Sequence, residues 1–167
     1  SVGKTTLVNA LKELEQFKDY NFATERSQHL MSLGIPLNTD STLKGQTVFL
    51  AERCGELMHD NIITDRTVLD VMAFTLNANS IPHQDKTAFE EYANEFIREY
   101  DYIFYISPHG LEIEDNGVRE TDEHYRDLID FTITTLIKRH GHKAGSIDKI
   151  SGSTDERIQQ ILTITGL

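Results

Sequence analysis

The sequence of 167 residues contains a single cysteine, three prolines and no tryptophan. The cysteine, Cys54, cannot form a disulfide within the chain, which fits a reducing compartment. Its spacing from Leu50, Leu57 and Met58 matches one face of a helix. We therefore expect a buried thiol that behaves as a small hydrophobic side chain and not as a nucleophile.

Basic residues are also scarce: 16 lysines and arginines stand against 27 aspartates and glutamates, a formal net charge of −11. This balance argues against a protein that covers the phosphate backbone of a nucleic-acid duplex, but it allows a local basic pocket for a mononucleotide. The sequence shows no apolar run as long as a membrane span and no recognisable signal peptide. We therefore expect a cytoplasmic protein that works without a membrane.

Short apolar strands alternate with amphipathic helices along the chain, a pattern typical of α/β folds with a parallel sheet flanked by helices. Neither a linker nor an internal repeat divides it, so we predict a single domain over 1–167. The predicted strands are 20–24, 61–64, 102–106 and 146–150. The predicted helices are 4–17, 27–33, 42–59, 67–74, 86–100, 125–140 and one that starts at 154.

The strongest motif lies at the start, where the letters SVGKTT are followed by leucines at 7, 11 and 14, a helical spacing. Gly3-Lys4-Thr5 matches the closing triplet of the P-loop pattern GxxxxGK[ST], whose leading glycine would lie before residue 1. Such a loop normally follows a buried strand, so the first strand of the sheet is also expected before residue 1.

In a P-loop, backbone N–H groups at a helix N-terminus point at phosphate oxygens. Lys4 would reach the β- and γ-phosphates, and the Thr5 hydroxyl would bind Mg²⁺. We therefore predict a site for ATP and Mg²⁺; the alternative is a chance G-K-T at a helix start. The residues assigned to this site are Ser1, Val2, Gly3, Lys4, Thr5 and Thr6.

Polar residues follow the predicted strands, and the carboxyl ends of parallel strands are where α/β sheets bind ligands. Asp65 closes the second strand and is a candidate Mg²⁺ ligand or a base for a hydroxyl proton; alternatively it caps the helix near Thr67. Arg66 would bind phosphate, or pair with Asp70 or Glu25. Glu25, after the first strand, is a candidate base or anchor for the acceptor hydroxyl; the alternative is a solvated surface acid.

Arg119 and Arg126 lie seven residues apart near the start of a helix, so they would share one face. Arginines brought in by a mobile lid neutralise the charge of a transferred phosphoryl group. Because Glu120, Asp122 and Glu123 surround them, ordinary surface charge is the alternative.

The order of these motifs, with the letters DRTVLD at 65–70 and EDNGVR at 114–119, resembles the nucleoside and nucleotide kinase branch of the P-loop proteins. It is most similar to the AAA domain typified by the ribosylnicotinamide kinase part of NadR. The resemblance implies ATP-dependent phosphoryl transfer to a small acceptor: a nucleoside, a nucleotide or a related metabolite. It also implies a lid at about 109–127, with the acceptor site formed by helices 27–33 and 42–59. The roles that it implies are catalysis for Lys4, Asp65, Glu25, Arg119 and Arg126, acceptor binding for Glu25 and Arg66, and metal binding for Thr5 and Asp65.

Two other functions remain open at this point. One is a kinase that acts on a polynucleotide end or a modified base, which the acidic charge disfavours. The other is a regulatory ATPase, in which triphosphate binding changes the contacts with a partner and little phosphoryl transfer occurs.

Overall fold

The computed structural model describes residues 3–24, 26–108 and 123–167, in which helices and strands alternate. The helices are α1 (Lys4–Lys12), α2 (Ser27–Ser32), α3 (Leu43–Glu56), α4 (Val68–Asn77), α5 (His83–Ala93), α6 (Glu123–His140) and α7 (Thr154–Thr165). The strands are β1 (Asn21–Ala23), β2 (Ile62–Thr64), β3 (Tyr102–Tyr105) and β4 (Ser146–Lys149). None of the described helices combines the length and the apolar composition needed to cross a bilayer.

The strands form two parallel pairs. Strand β1 lies beside β2, with Phe22 opposite Ile63, and β3 lies beside β4, with Ile103 opposite Ile147. Parallel neighbours require a crossover connection, which α2 and α3 supply between β1 and β2 and α6 supplies between β3 and β4. Within the described ranges, no hydrogen-bonded ladder joins β2 to β3.

Two apolar clusters cover opposite sides of the strands. Successive residues of a strand point to opposite faces, and accordingly Ile103 joins the larger cluster while Phe104 joins the smaller one. Phe22 and Ile63 pack against the smaller cluster too, so one helical layer covers both strand pairs. That layer consists of α1 and α7, and the opposite layer consists of α3, α4, α5 and α6. The result is the three-layer α/β arrangement that the sequence predicts.

Helix α4 lies at the centre of the larger cluster, and Val68, Leu69 and Met72 are almost completely buried. Its first turn is closed by a capping box: the Thr67 hydroxyl accepts from the Leu69 N–H at 3.2 Å, and the Asp70 carboxylate accepts from the Thr67 N–H at 2.8 Å. The alternative in which Asp65 caps this helix is therefore wrong, because Thr67 has that role. Asp65 is left available to the site.

The observed element bounds differ most from the predicted ones in α1 and α5. Helix α1 ends at Lys12, with a 3₁₀ turn at Glu15–Phe17 in place of its predicted last part. Helix α5 begins at His83, three residues before the predicted start, because Pro82 ends the extended loop and Asp85 places an acidic side chain in the first turn.

The packing of α6 gives a direct test of this core. Leu136 is 1% exposed and lies in the larger cluster, whereas Leu128 of the same helix is 40% exposed. We expect Leu136→Ala to lower the free energy of unfolding by about 2–5 kcal/mol through lost burial and a residual cavity. Leu128→Ala is the matched control, with an expected change within about 0.5 kcal/mol. Urea denaturation measures both, and equal losses would contradict the layer assignment.

Candidate active site

The start of α1 has the backbone geometry of an anion site. Gly3 caps the helix in the left-handed conformation, with φ 73° and ψ 20°, which a residue with a side chain adopts only with strain. The first N–H groups of α1 lack intrahelical partners and carry the positive end of the helix dipole. Thr6 is exposed on this turn, whereas Ser1 and Val2 lie outside the described residues.

Two side-chain contacts join the first turn of α1 to the segment between β2 and α4. The Thr5 hydroxyl donates to Asp65 Oδ2 at 2.7 Å, and Lys4 Nζ donates to Asp70 Oδ1 at 3.1 Å. The structure thus brings together Lys4, Thr5 and Asp65, which the sequence assigned to one site, and it adds Asp70. Their catalytic and metal-binding roles stay predictions.

Asp65 has the properties of a Mg²⁺ ligand. It is 6% exposed, and its Oδ1 has no hydrogen-bond partner among the described residues. Mg²⁺ commonly takes one or two carboxylates together with phosphate oxygens and water. The described part of the chain holds no group of three or more His, Cys, Asp or Glu side chains that could bind a metal by itself. The Thr5 hydroxyl and the Asp65 carboxylate therefore fit a metal ion that arrives with a nucleotide.

Arg66, just before the start of α4, also lies near Asp70. Its Nη1 lies 3.8 Å from Asp70 Oδ1, and its guanidinium lies 5.4 Å from the centre of the Phe74 ring. Of the two partners that the sequence suggested for Arg66, the structure shows Asp70. Burial alone would raise the pKa of Asp70, but the charges of Lys4 and Arg66 and the hydrogen bond from the Thr67 N–H lower it to about 2. Asp70 is therefore an anion at neutral pH.

A second group of charges, which the sequence did not predict, lies on α3. Arg53 is 3% exposed and its Nη2 lies 2.7 Å from Glu56 Oε1, while Arg26 Nη1 lies 3.3 Å from Glu52 Oε1. We call Arg26, Glu52, Arg53 and Glu56 the α3 polar cluster. A sequence signal existed, because Arg53 follows the buried Gln46 and Leu50 at helical spacing and so falls on the inward face of α3.

Several polar atoms of the α3 polar cluster are buried without a hydrogen-bond partner in the part of the chain that the structure describes. They are Nε and Nη1 of Arg53 and Oε2 of both Glu52 and Glu56. Burial raises the pKa of Glu56 to about 7, with Glu52 and Asp65 adding to the shift and Arg53 and Arg26 opposing it. The α3 polar cluster therefore lies close enough to Asp65 for the charge of Asp65 to raise the pKa of Glu56.

The remaining residues predicted for the site are Arg126, Glu25 and Arg119. Arg126 is half-buried near the start of α6, and its Nε lies 3.6 Å from Asp127 Oδ1. Glu25 and Arg119 lie outside the described residues, as does most of the predicted lid, so these roles stay predictions. Arg157 was missed by the sequence reasoning: it is buried on α7, with Nη1 3.4 Å from the position that a Cβ on Gly3 would take.

Comparisons with known proteins support the fold and show the family. The model of a family described as an AAA domain matches residues 1–157. A structure of deoxyadenosine kinase from M. mycoides with dCMP and dCDP aligns with a TM-score of 0.70 at 17% identity, covering 99% of this chain and 93% of that one. The same enzyme with bound dCTP aligns with a TM-score of 0.65 at 17% identity, covering 99% and 94%. No curated protein matches.

The parallel strand pairs, the flanking helices and the structural alignments define the fold as that of a P-loop kinase. The chain belongs to the AAA-domain family whose model covers residues 1–157. The predicted fold class and the predicted likeness to P-loop nucleoside kinases are confirmed. The narrower likeness to ribosylnicotinamide kinase stays a prediction.

The raised pKa of Glu56 predicts a specific pH dependence of stability. Its pKa is about 7 in the folded protein and near 4.5 in the unfolded chain, so the folded state holds the proton more tightly between these values. The stability of the wild type should therefore fall as the pH rises through this window. Glu56→Gln has no proton to release, so its free energy of unfolding should rise relative to wild type by on the order of 1–3 kcal/mol from pH 5 to pH 8.

Urea denaturation at pH 5, 6, 7 and 8 measures this difference. Glu13→Gln changes an exposed glutamate and serves as the control. Parallel stability curves for Glu56→Gln and the wild type would show that Glu56 does not titrate in this range.

Proposed function

We propose that the protein transfers the γ-phosphoryl group of ATP to a hydroxyl group of a small polar acceptor, with a nucleoside as the best fit. The observation that supports this most is the pair of contacts Lys4–Asp70 and Thr5–Asp65. They hold a phosphate-binding cation and a metal-binding hydroxyl at one helix N-terminus, in the fold of a P-loop kinase. The aligned kinase structures carry deoxycytidine nucleotides, which is consistent with a nucleotide-sized site.

The roles of the residues follow from their chemistry. When bound, ATP supplies the γ-phosphoryl group and Mg²⁺ offsets the charge on its oxygens. The acceptor oxygen forms a new bond to phosphorus, the bond from the γ-phosphorus to the bridging oxygen breaks, and ADP leaves. The hydroxyl proton passes to a carboxylate, for which Glu25 and Asp65 are the candidates. Lys4 and Arg66 stabilise the phosphoryl oxygens, with Arg119 and Arg126 as lid residues.

The α3 polar cluster is our candidate for the acceptor site. Its buried unpaired atoms include both donors, on Arg53, and acceptors, on Glu52 and Glu56. Buried polar groups of this kind are costly unless a ligand or water completes their hydrogen bonds. When Glu56 is ionised, the two carboxylates match the positive charges of Arg26 and Arg53, so the cluster then carries no surplus of positive charge for a phosphate. This supports a neutral acceptor that has both donor and acceptor groups, as a nucleoside does.

Replacement of Asp65 tests the reaction. With γ-labelled ATP and a panel of nucleosides, deoxynucleotides and ribosylnicotinamide, we expect the full-length protein to label at least one acceptor. Asp65→Asn should reduce this transfer by about 10²-fold or more, because it removes a full charge from the reacting centre, while nucleotide affinity changes much less. Asp60→Asn is the control, since Asp60 is exposed just before β2. ATP binding by the wild type with no labelled acceptor would favour the regulatory ATPase instead.

Replacement of Arg53 tests the acceptor site separately. Arg53→Met keeps an unbranched apolar stem but removes the donors of the side chain, so the KM for the acceptor should rise by about 10–100-fold. The KM for ATP should stay within about threefold, since Arg53 lies on the acceptor side. Arg98→Met, at an exposed arginine, is the matched control. Steady-state kinetics with each substrate varied in turn measure both constants, and an equal rise in both would place Arg53 outside the acceptor site.

A further inference from the structure

Asp70 binds two cations on a single carboxylate oxygen. Lys4 Nζ lies 3.1 Å and Arg66 Nη1 lies 3.8 Å from its Oδ1. The two cations come from different segments, the first turn of α1 and the connection between β2 and α4. Asp70 therefore links Lys4 of α1 to Arg66, which follows β2.

The position of this carboxylate is fixed by the core. Its side chain is 12% exposed, and it belongs to the first turn of α4, beside the buried residues Leu69 and Met72. Its other oxygen, Oδ2, accepts from the Thr67 N–H at 2.8 Å and from the Thr67 hydroxyl at 3.3 Å. The Lys4 side chain is 33% exposed, and a long flexible side chain of this kind needs a partner to keep its ammonium group in one place.

Helix capping alone does not account for both oxygens of Asp70. The cap uses Oδ2 and requires only a hydrogen-bond acceptor, which an amide oxygen also provides. The cations use Oδ1, and their attraction depends on the negative charge. An ammonium group has three donors, so Lys4 keeps two for phosphate oxygens while one is directed to Asp70.

We propose that Asp70 is a positioning residue for phosphoryl transfer: it holds the ammonium group of Lys4 and the guanidinium group of Arg66 next to each other, where both can contact the transferred group. This inference rests on the proposed function. The group moves from ATP to the acceptor oxygen as described above, and Asp70 neither bonds to it nor takes a proton. One carboxylate against two cations leaves a net positive charge of about one facing the phosphoryl oxygens.

The test is Asp70→Asn in the full-length protein. Asparagine keeps an oxygen for the Thr67 N–H but loses the charge that holds the cations. We expect the single-turnover rate of transfer to fall by about 30–100-fold, as a misplaced catalytic group does, while the Kd for MgATP changes less than about threefold. The double variant Arg66→Gln/Asp70→Asn should be slower than Arg66→Gln, because Lys4 also loses its partner, but by a smaller factor than Asp70→Asn causes in the wild type.

The control is Thr42→Ala, which removes the hydroxyl that caps α3 without a change in charge and without a contact to Asp70. It should lower the melting temperature and leave the rate of transfer within about twofold. If Asp70→Asn does not fold, as judged by far-UV circular dichroism, Asp70→Ser serves as the second variant with the same expectation for rate and Kd.

The outcomes separate this inference from the proposed function. A wild-type rate in a folded Asp70 variant would overturn the positioning role and leave the kinase intact. A rise in the Kd for MgATP that accounts for the whole loss of rate would make Asp70 a binding residue only, which also overturns the proposal. If the wild type transfers phosphate neither to any acceptor nor to water, the proposed function fails and the positioning role falls with it.

Discussion

The contact between the first turn of α1 and the first turn of α4 is the constraint on which the site depends. Lys4 and Thr5 would carry the phosphate and the metal, but their side chains are directed by Asp70 and Asp65. Asp70 belongs to a capped helix at the centre of the larger apolar cluster, and Asp65 lies between β2 and that helix. Burial of α4 therefore sets where the Asp70 carboxylate lies, and the position of the Lys4 ammonium group follows from the packing of the core.

The chain as a whole is acidic, but the candidate site contains several basic side chains. The protein has a net charge of −11, yet basic side chains gather around the carboxylates at the start of α1 and on α3. Burial raises the pKa of a carboxyl group and nearby positive charges lower it, and the balance differs between Asp70 and Glu56. Lys4 and Arg66 lower the pKa of Asp70 despite its burial, whereas burial prevails at Glu56 and raises its pKa. Asp70 is thus an anion at neutral pH beside the predicted phosphate site, and Glu56 gains or loses a proton near neutral pH in the candidate acceptor site.

The sequence was sufficient for features that depend on local spacing. The Gly3-Lys4-Thr5 triplet predicted a phosphate site at the start of α1, and the end of an apolar strand predicted that Asp65 lies next to it, as the contact with Thr5 shows. Arg53 and Arg157 were not found, because a charged residue in a helix is usually exposed. For Arg53 the helical spacing from Gln46 and Leu50 pointed to the inward face, but tertiary packing was needed to show the burial. Similarly, the partnership of Lys4 with Asp70 joins residues far apart in the chain, and no local pattern contains it.

The most direct test of the central claim is a crystal structure of the full-length protein with a non-hydrolysable ATP analogue and Mg²⁺. We expect β- and γ-phosphate oxygens within about 3 Å of Lys4 Nζ and of the first N–H groups of α1. The metal should contact the Thr5 hydroxyl and lie beside Asp65, with Lys4 still bound to Asp70. A nucleotide bound elsewhere, or one bound at α1 with its phosphates turned away from Lys4 and Asp65, would contradict the account.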